Sequence, residues 1–230
     1  MKSKVLAVVP ARAGSKRLPK KNTKLLDGLP LIAHTLEAIK HSTLVTTTVV
    51  TSDCPEVLSI SEQYSNTYSL ERPAELSSDT ASSIDVLIHA VEHSKQLGEF
   101  DVVCLLQPTS PLRTSLDIDN AITLYIEKRA KGVVSMTECE HSPLWSTPLT
   151  GEGDFNKFIS KLSNARSQDL PNYYRLNGAI YLIEKNTLLK ENKLFLEQDY
   201  YPYIMDTENS VDIDNYLDFL VAETIIKLKK

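Results

Sequence analysis

An uninterrupted apolar run, Val5-Leu6-Ala7-Val8-Val9, stops at Pro10 and opens into a segment crowded with cations: Arg12, Lys16, Arg17, Lys20, Lys21 and Lys24. Such a run fits a strand buried on both faces, the pattern of a parallel sheet covered by helices. In these sheets ligands gather beyond the carboxyl ends of the strands. Ala13, Gly14 and Ser15 form the first bend of the segment, where small side chains leave backbone N–H groups accessible. A lysine-rich turn taken alone is ordinary solvated surface. Placed at the end of a buried strand, it is a site for a polyanion. A nucleoside triphosphate brings about four negative charges into a partly dehydrated cleft, and one lysine does not balance them. The segment holds neither a P-loop nor a dinucleotide fingerprint, because Gly14 is its only glycine, so side chains must carry most of the phosphate binding.

The chain then alternates. Pro30 to Ile39 repeats apolar residues at helical spacing, with Pro30 near the start. Thr46 to Ser52 is rich in β-branched residues and reads as a strand, and Asp53 and Pro55 open a helix through Tyr64. A helix from Ile84 to Lys95, a strand from Asp101 to Leu106, a helix from Leu116 to Lys128 and a strand from Gly132 to Thr137 follow. This order predicts an α/β fold, a Rossmann-like, mostly parallel sheet sandwiched by helices. From Glu138 to Asn177 the alternation stops, and the segment reads as an excursion from a single domain spanning residues 1–230. A further strand runs from Arg175 to Ile183, entered through Asn177-Gly178, and a helix from Tyr216 to Leu228 closes the chain.

Three polar stretches stand beside these elements. Glu71 to Ser83 is a long loop of the kind that often carries function, with helix capping accounting for at least one of Ser82, Ser83 and Asp85. Gln107-Pro108-Thr109-Ser110-Pro111-Leu112-Arg113 is a rigid turn at a strand end. It can direct Gln107 and Arg113 to the cleft, or Arg113 can pair with a carboxylate of the next helix. In Ser210-Val211-Asp212-Ile213-Asp214-Asn215 an extended backbone points Asp212 and Asp214 to one face, where they can hold a hard cation. Asp214 can instead cap the following helix; two capping aspartates are not needed, so Mg²⁺ is the favoured reading. His89 and His93 fall four apart on a helix that also carries Ile84, Leu87, Ile88 and Val91, with no third ligand near, and read as packed or exposed histidines.

Pro10-Ala11-Arg12-Ala13-Gly14-Ser15-Lys16, Lys20-Lys21-Asn22 and Leu105-Leu106-Gln107-Pro108-Thr109-Ser110-Pro111-Leu112-Arg113 closely resemble motifs of the CMP-sialic acid synthetases, the acylneuraminate cytidylyltransferase family. The resemblance extends over essentially the whole chain. It implies that Ala11, Arg12, Ser15, Lys16 and Lys21 hold the triphosphate of CTP, that Asn22, Arg72 and Ser83 read the nucleoside, and that Arg12, Lys21, Asp212 and Asp214 are catalytic. It further implies that Gln107, Arg166, Tyr181 and Phe195 bind an acidic nine-carbon sugar, with Arg166 on its carboxylate and the aromatics around its N-acyl group. The excursion at 138–177 is then a dimerisation subdomain of a homodimer that helps complete the second subunit's site. Leu194 stands where relatives commonly carry an aromatic wall residue and Trp145 where some carry a lysine. The motifs do not choose among sialic, legionaminic and pseudaminic acids. Other readings are activation of an eight-carbon acid, a non-catalytic nucleotide-binding regulator, and a nucleic-acid binder.

Composition bounds the rest. A net charge of −5 argues against a nucleic-acid surface. Cys54, Cys104 and Cys139 are odd in number and lack a Cys-x-x-Cys pair, so they read as reduced and mostly structural. Met1 to Lys4 precede too few apolar residues for a signal-peptide core, and no segment has the apolar length to span a bilayer, so a soluble, cytoplasmic enzyme without membrane or nucleic-acid partners is expected.

Overall fold

A computed structural model describes residues 3–78, 80–149, 151, 154–161 and 170–230. Strand β1 (Val5–Pro10) sits inside a sheet whose other strands are β4 (Val45–Ser52), β5 (Thr67–Glu71), β6 (Val102–Leu105), β7 (Gly132–Glu138), β8 (Tyr174–Glu184) and β9 (Tyr200–Ile204). Their order is β5-β4-β1-β6-β8-β7-β9. Only β8 runs against its neighbours, so the sheet is mostly parallel. The chain winds one way from β1 to β4 and β5 and the other way to β6. That reversal leaves a crevice beyond the carboxyl ends of β1 and β6.

Alternation along β1 assigns the two faces. Val5, Ala7 and Val9 pack with α1 (Leu31–Lys40), α2 (Pro55–Ser61) and α4 (Ser115–Lys128), while Leu6 and Val8 pack with α3 (Ser83–His93) and α6 (Lys185–Glu191). Cys104 lies wholly buried in β6, its thiol pushed up to about 12 by burial. A two-stranded hairpin, β2 (Leu25–Leu26) and β3 (Leu29–Pro30), turns through Asp27 and Gly28, both at positive φ, as a tight Asp-Gly turn requires. With α7 (Tyr216–Leu228) it covers a third apolar cluster around Leu26, Leu31 and Phe219.

The sequence reading placed no element at β2, β3, β5, α6 or β9, and it differs again at β8 and at the ends of the excursion. Asn177 and Gly178 do not introduce β8 but form a bulge within it: Leu176 pairs with Met136 and Tyr181 with Val134, leaving the residues between them opposite Ser135. The excursion therefore leaves and returns on a ladder, with Glu138 opposite Tyr174 and Arg175 paired to Glu140 at 2.7 Å. Between these ends lies α5 (Asp154–Lys161).

Asp119 of α4 ties that helix to the turn before β4. Its carboxylate accepts from the Ser42 and Thr43 hydroxyls and from the N–H groups of Thr43 and Leu44. Partial burial pushes the carboxyl up, but these donors outweigh it and hold it below its ordinary value. Asp119→Ala is expected to cost about 1.5–3 kcal/mol, the worth of hydrogen bonds to a charged group, measured by urea unfolding near neutral pH. A depressed folded pKa gives stability that is complete above the ordinary aspartate range and lost as pH falls through the lowered value. The difference between wild type and variant should accordingly shrink only in strong acid.

Candidate active site

The loop after β1 is bent by its own backbone. The Ala11 N–H donates to the Thr51 carbonyl at 3.0 Å, and the Ala11 carbonyl accepts from the Ser52 hydroxyl. Ala11 is thus buried at the sheet's end, where it sets the direction of the loop and does not line the cleft. The Ala13 N–H, read from sequence as accessible, donates to Asp53 Oδ1 at 2.7 Å. Beyond it Gly14, Ser15, Lys16 and Arg17 line the cleft, and a Cβ at Gly14 would meet nothing within 4 Å. Asn22 Nδ2 donates to the Arg12 carbonyl at 2.9 Å and folds the loop back on itself, while Arg12 reaches across to the Ser78 carbonyl at 3.2 Å.

The facing wall is the strand-like segment before α7. Ile213 points into the core, with its N–H donating to the Thr109 carbonyl at 2.7 Å, so Asp212 and Asp214 on either side of it turn to the cleft. The capping alternative for Asp214 is taken by another residue: Asn215 accepts from the N–H groups of Leu217 and Asp218 and forms a capping box with Asp218. Asp214 instead meets Arg17 at 3.0 Å and lies 3.9 Å from Lys21 Nζ, which donates to the Ile213 carbonyl at 2.8 Å. Desolvation lowers the Lys21 pKa, against the pull of Asp214 and Asp212. Solvent reaches Asp212, yet crowding by the cleft walls pushes its carboxyl up, a hydrogen bond with Thr109 opposing.

Arg72, Ser83 and Gln107 also line the cleft. Arg72 is nearly buried, its guanidinium bonded to the Thr51 carbonyl at 2.6 Å, and desolvation lowers its pKa while Asp53 opposes. Ser82 caps α3 through the Ile84 N–H, which releases the Ser83 hydroxyl to the cleft. Arg113 takes neither position considered from sequence. It is 2% exposed and donates to the carbonyls of Gln107 and Ala179 and to the Thr35 hydroxyl, and burial lowers its pKa to about 10.

The aromatic pair lies outside this cleft. Tyr181 is buried in β8 and meets the half-exposed Phe195 edge-on, ring centroids 6.0 Å apart. Arg166 falls outside the described residues. Sequence reasoning missed Asp53, Thr109 and Gly178, which hold or touch the residues it found. A glycine inside a strand pattern is the signal that marks the last of them.

Residues 6–212 match the family model described as cytidylyltransferase. The chain belongs to the cytidylyltransferase family. It is 35% identical to the CMP-N,N'-diacetyllegionaminic acid synthase of Legionella pneumophila over 235 residues, covering 99% of this chain and 98% of that protein. It is 36% identical to the N-acylneuraminate cytidylyltransferase of Escherichia coli over 231 residues, covering all of this chain and 54% of that protein. The fold is shared with a CMP:2-keto-3-deoxy-manno-octonic acid synthetase solved with CTP, at TM-score 0.73 and 17% identity over 99% of this chain and all of the other. For this cytidylyltransferase the sheet's reversal point and the cation-lined cleft coincide, which is where a nucleotide fits.

Proposed function

We propose that this cytidylyltransferase transfers CMP from CTP to the hydroxyl of a nine-carbon acidic sugar and releases pyrophosphate. One observation carries the reading: Arg12, Lys16 and Lys21 face Asp212 and Asp214 across a single cleft of about 520 Å³ that also holds Arg72, Ser83 and Gln107. The names of the Legionella and Escherichia relatives supply the acceptor class. The acceptor hydroxyl attacks the α-phosphorus, the bond to the bridging oxygen breaks, pyrophosphate leaves with its electron pair, and the hydroxyl proton passes to a phosphate oxygen. No protein nucleophile is needed. Arg12, Ser15, Lys16 and Lys21 orient the triphosphate and balance its charge, Asn22, Arg72 and Ser83 take the nucleoside, and Gln107 meets the acceptor.

The donor set fits Mg²⁺. Asp212 and Asp214 offer hard carboxylate oxygens, and phosphate and water would complete the shell, as Mg²⁺ prefers. When bound, the cation supplies charge neutralisation at the phosphate oxygens. No helix among the described residues is long and apolar enough to cross a membrane. Leu144, Trp145, Leu149, Phe155, Ile159 and Tyr174 leave large apolar side chains exposed on the excursion, which supports a homodimer. Light scattering should give about twice 25.8 kDa, and a fully active monomer would contradict the dimer.

Pyrophosphate release with CTP and Mg²⁺ tests the acceptor. N-acetylneuraminic, legionaminic or pseudaminic acid is expected to be turned over well above an eight-carbon acid; turnover of the eight-carbon acid alone would overturn the sugar assignment. Arg12→Ala is expected to lower kcat/KM by about one to two orders of magnitude, the loss of a charge-assisted phosphate contact. An unchanged rate would remove Arg12 from the site.

A further inference from the structure

Gly178 occupies a backbone position with φ of +75° inside the β8 bulge, where a side chain is strained for any L-residue. Space is short there as well. A Cβ at this residue would lie 3.1 Å from Gln107 Oε1 and 3.5 Å from Asp212 Oδ2. Two side chains from different elements thus converge on a backbone position that has no side chain.

The backbone on both sides of Gly178 is clamped. Asn177 Oδ1 accepts from the Ser135 hydroxyl at 2.6 Å and from the Ala179 N–H at 3.2 Å. Its Nδ2 donates to the Ser210 hydroxyl at 2.9 Å, two residues ahead of Asp212, and all three of these side chains are buried together with Met205 Sδ at 3.2 Å. Arg113 holds the Gln107 carbonyl at 3.2 Å and the Ala179 carbonyl at 2.8 Å. A satisfied buried polar network of this kind resists displacement. An atom added at residue 178 is therefore accommodated by moving the Gln107 side chain, the looser partner, while Asp212 is met at ordinary contact distance.

We propose that Gly178 is a positioning residue that sets the spacing between the Gln107 amide and the Asp212 carboxylate, and through it the fit of the acceptor against the nucleotide's phosphates. The proposal rests on the reading of Gln107 as an acceptor contact and Asp212 as a cation-side carboxylate. The three atoms nearest a Cβ at residue 178 belong to Gln107 and Asp212 and none to the loop after β1 or to Arg72, so the direct effect of a side chain here is expected on the acceptor side.

The test compares Gly178→Ala and Gly178→Asn with Gly98→Ala. Asn tolerates positive φ better than Ala but still carries a Cβ, so it separates backbone strain from the contact and guards against a misfolded Ala variant. Gly98 has φ of +116° and nothing within 4 Å of a Cβ, so it reports strain alone. Both changes at 178 are expected to raise the acceptor KM and lower kcat by about tenfold each, with CTP affinity by calorimetry within about twofold of wild type. Gly98→Ala should leave all three values unchanged. In a Gln107→Ala background the effect of Gly178→Ala should shrink, because the crowded side chain is gone. Wild-type acceptor kinetics in both 178 variants, or equal losses of CTP affinity and turnover, would overturn the proposal. If Gln107→Ala alone leaves acceptor KM unchanged, it is the underlying reading of Gln107 that fails.

Discussion

Asp212→Asn is expected to lower kcat by about 10²- to 10³-fold at saturating CTP and Mg²⁺, a loss on the scale of removing one preorganised charge-stabilising group. The change keeps the shape of the side chain and removes its charge. Asp212 has no capping duty, because Asn215 and Asp218 form the start of α7. Its carboxyl is already pushed up by desolvation, so the folded state binds this proton more tightly than the unfolded state does. The ionised form consequently costs stability once pH rises past the folded value, and a neutral amide removes that cost. The melting temperature measured at pH 8 in chelator should therefore not fall. A variant that loses activity and melting temperature together would make Asp212 a structural residue.

Lys21→Ala is expected to lower kcat/KM for CTP by about 10²-fold, whereas Lys20→Ala, one residue earlier, should stay within about twofold of wild type. The contrast comes from burial. Lys21 keeps only 14% of its side chain exposed, donates to the Ile213 carbonyl and lines the cleft, while Lys20 is exposed, has φ of 54° and turns away into the bend. Desolvation lowers the Lys21 pKa, and an incoming triphosphate reverses that shift by favouring the charged amine. Lys21→Arg should not rescue, because a forked guanidinium does not occupy the place of a compact ammonium. Equal losses at both lysines would mean that the loop acts through net charge alone.

Five of the sheet's seven strands and the cation-lined loop were legible because period and position carry them. The five-residue apolar run of β1 fits a strand buried on both faces, as it is here, and a cation cluster at its end can serve few purposes. The Asp212–Asp214 pair was legible for the same reason: alternate residues of an extended segment share a face, and Ile213 between them goes to the core. What could not be read was which donors are already spoken for. The Ala13 N–H is spent on Asp53, and the Ala11 backbone on Thr51 and Ser52, residues some forty positions away. Arg113 read as a cleft cation or as a partner of a carboxylate on the next helix, yet it is a buried brace for Gln107 and Ala179, whose carbonyls carry no sequence signature. The bulge at Asn177 and Gly178 depends on Ser135 and Ser210 in other elements, which local spacing does not reveal.

The most direct test of the whole account follows the label from CTP carrying ³²P at the α-phosphate, in the presence of Mg²⁺ and a nine-carbon acidic sugar. The label is expected to appear in a CMP-sugar in equal amount to the pyrophosphate released, with both signals falling together in Asp212→Asn and Lys21→Ala. Label that stays in CTP with every nine-carbon acid, while CTP binds to the wild-type cleft, would contradict it.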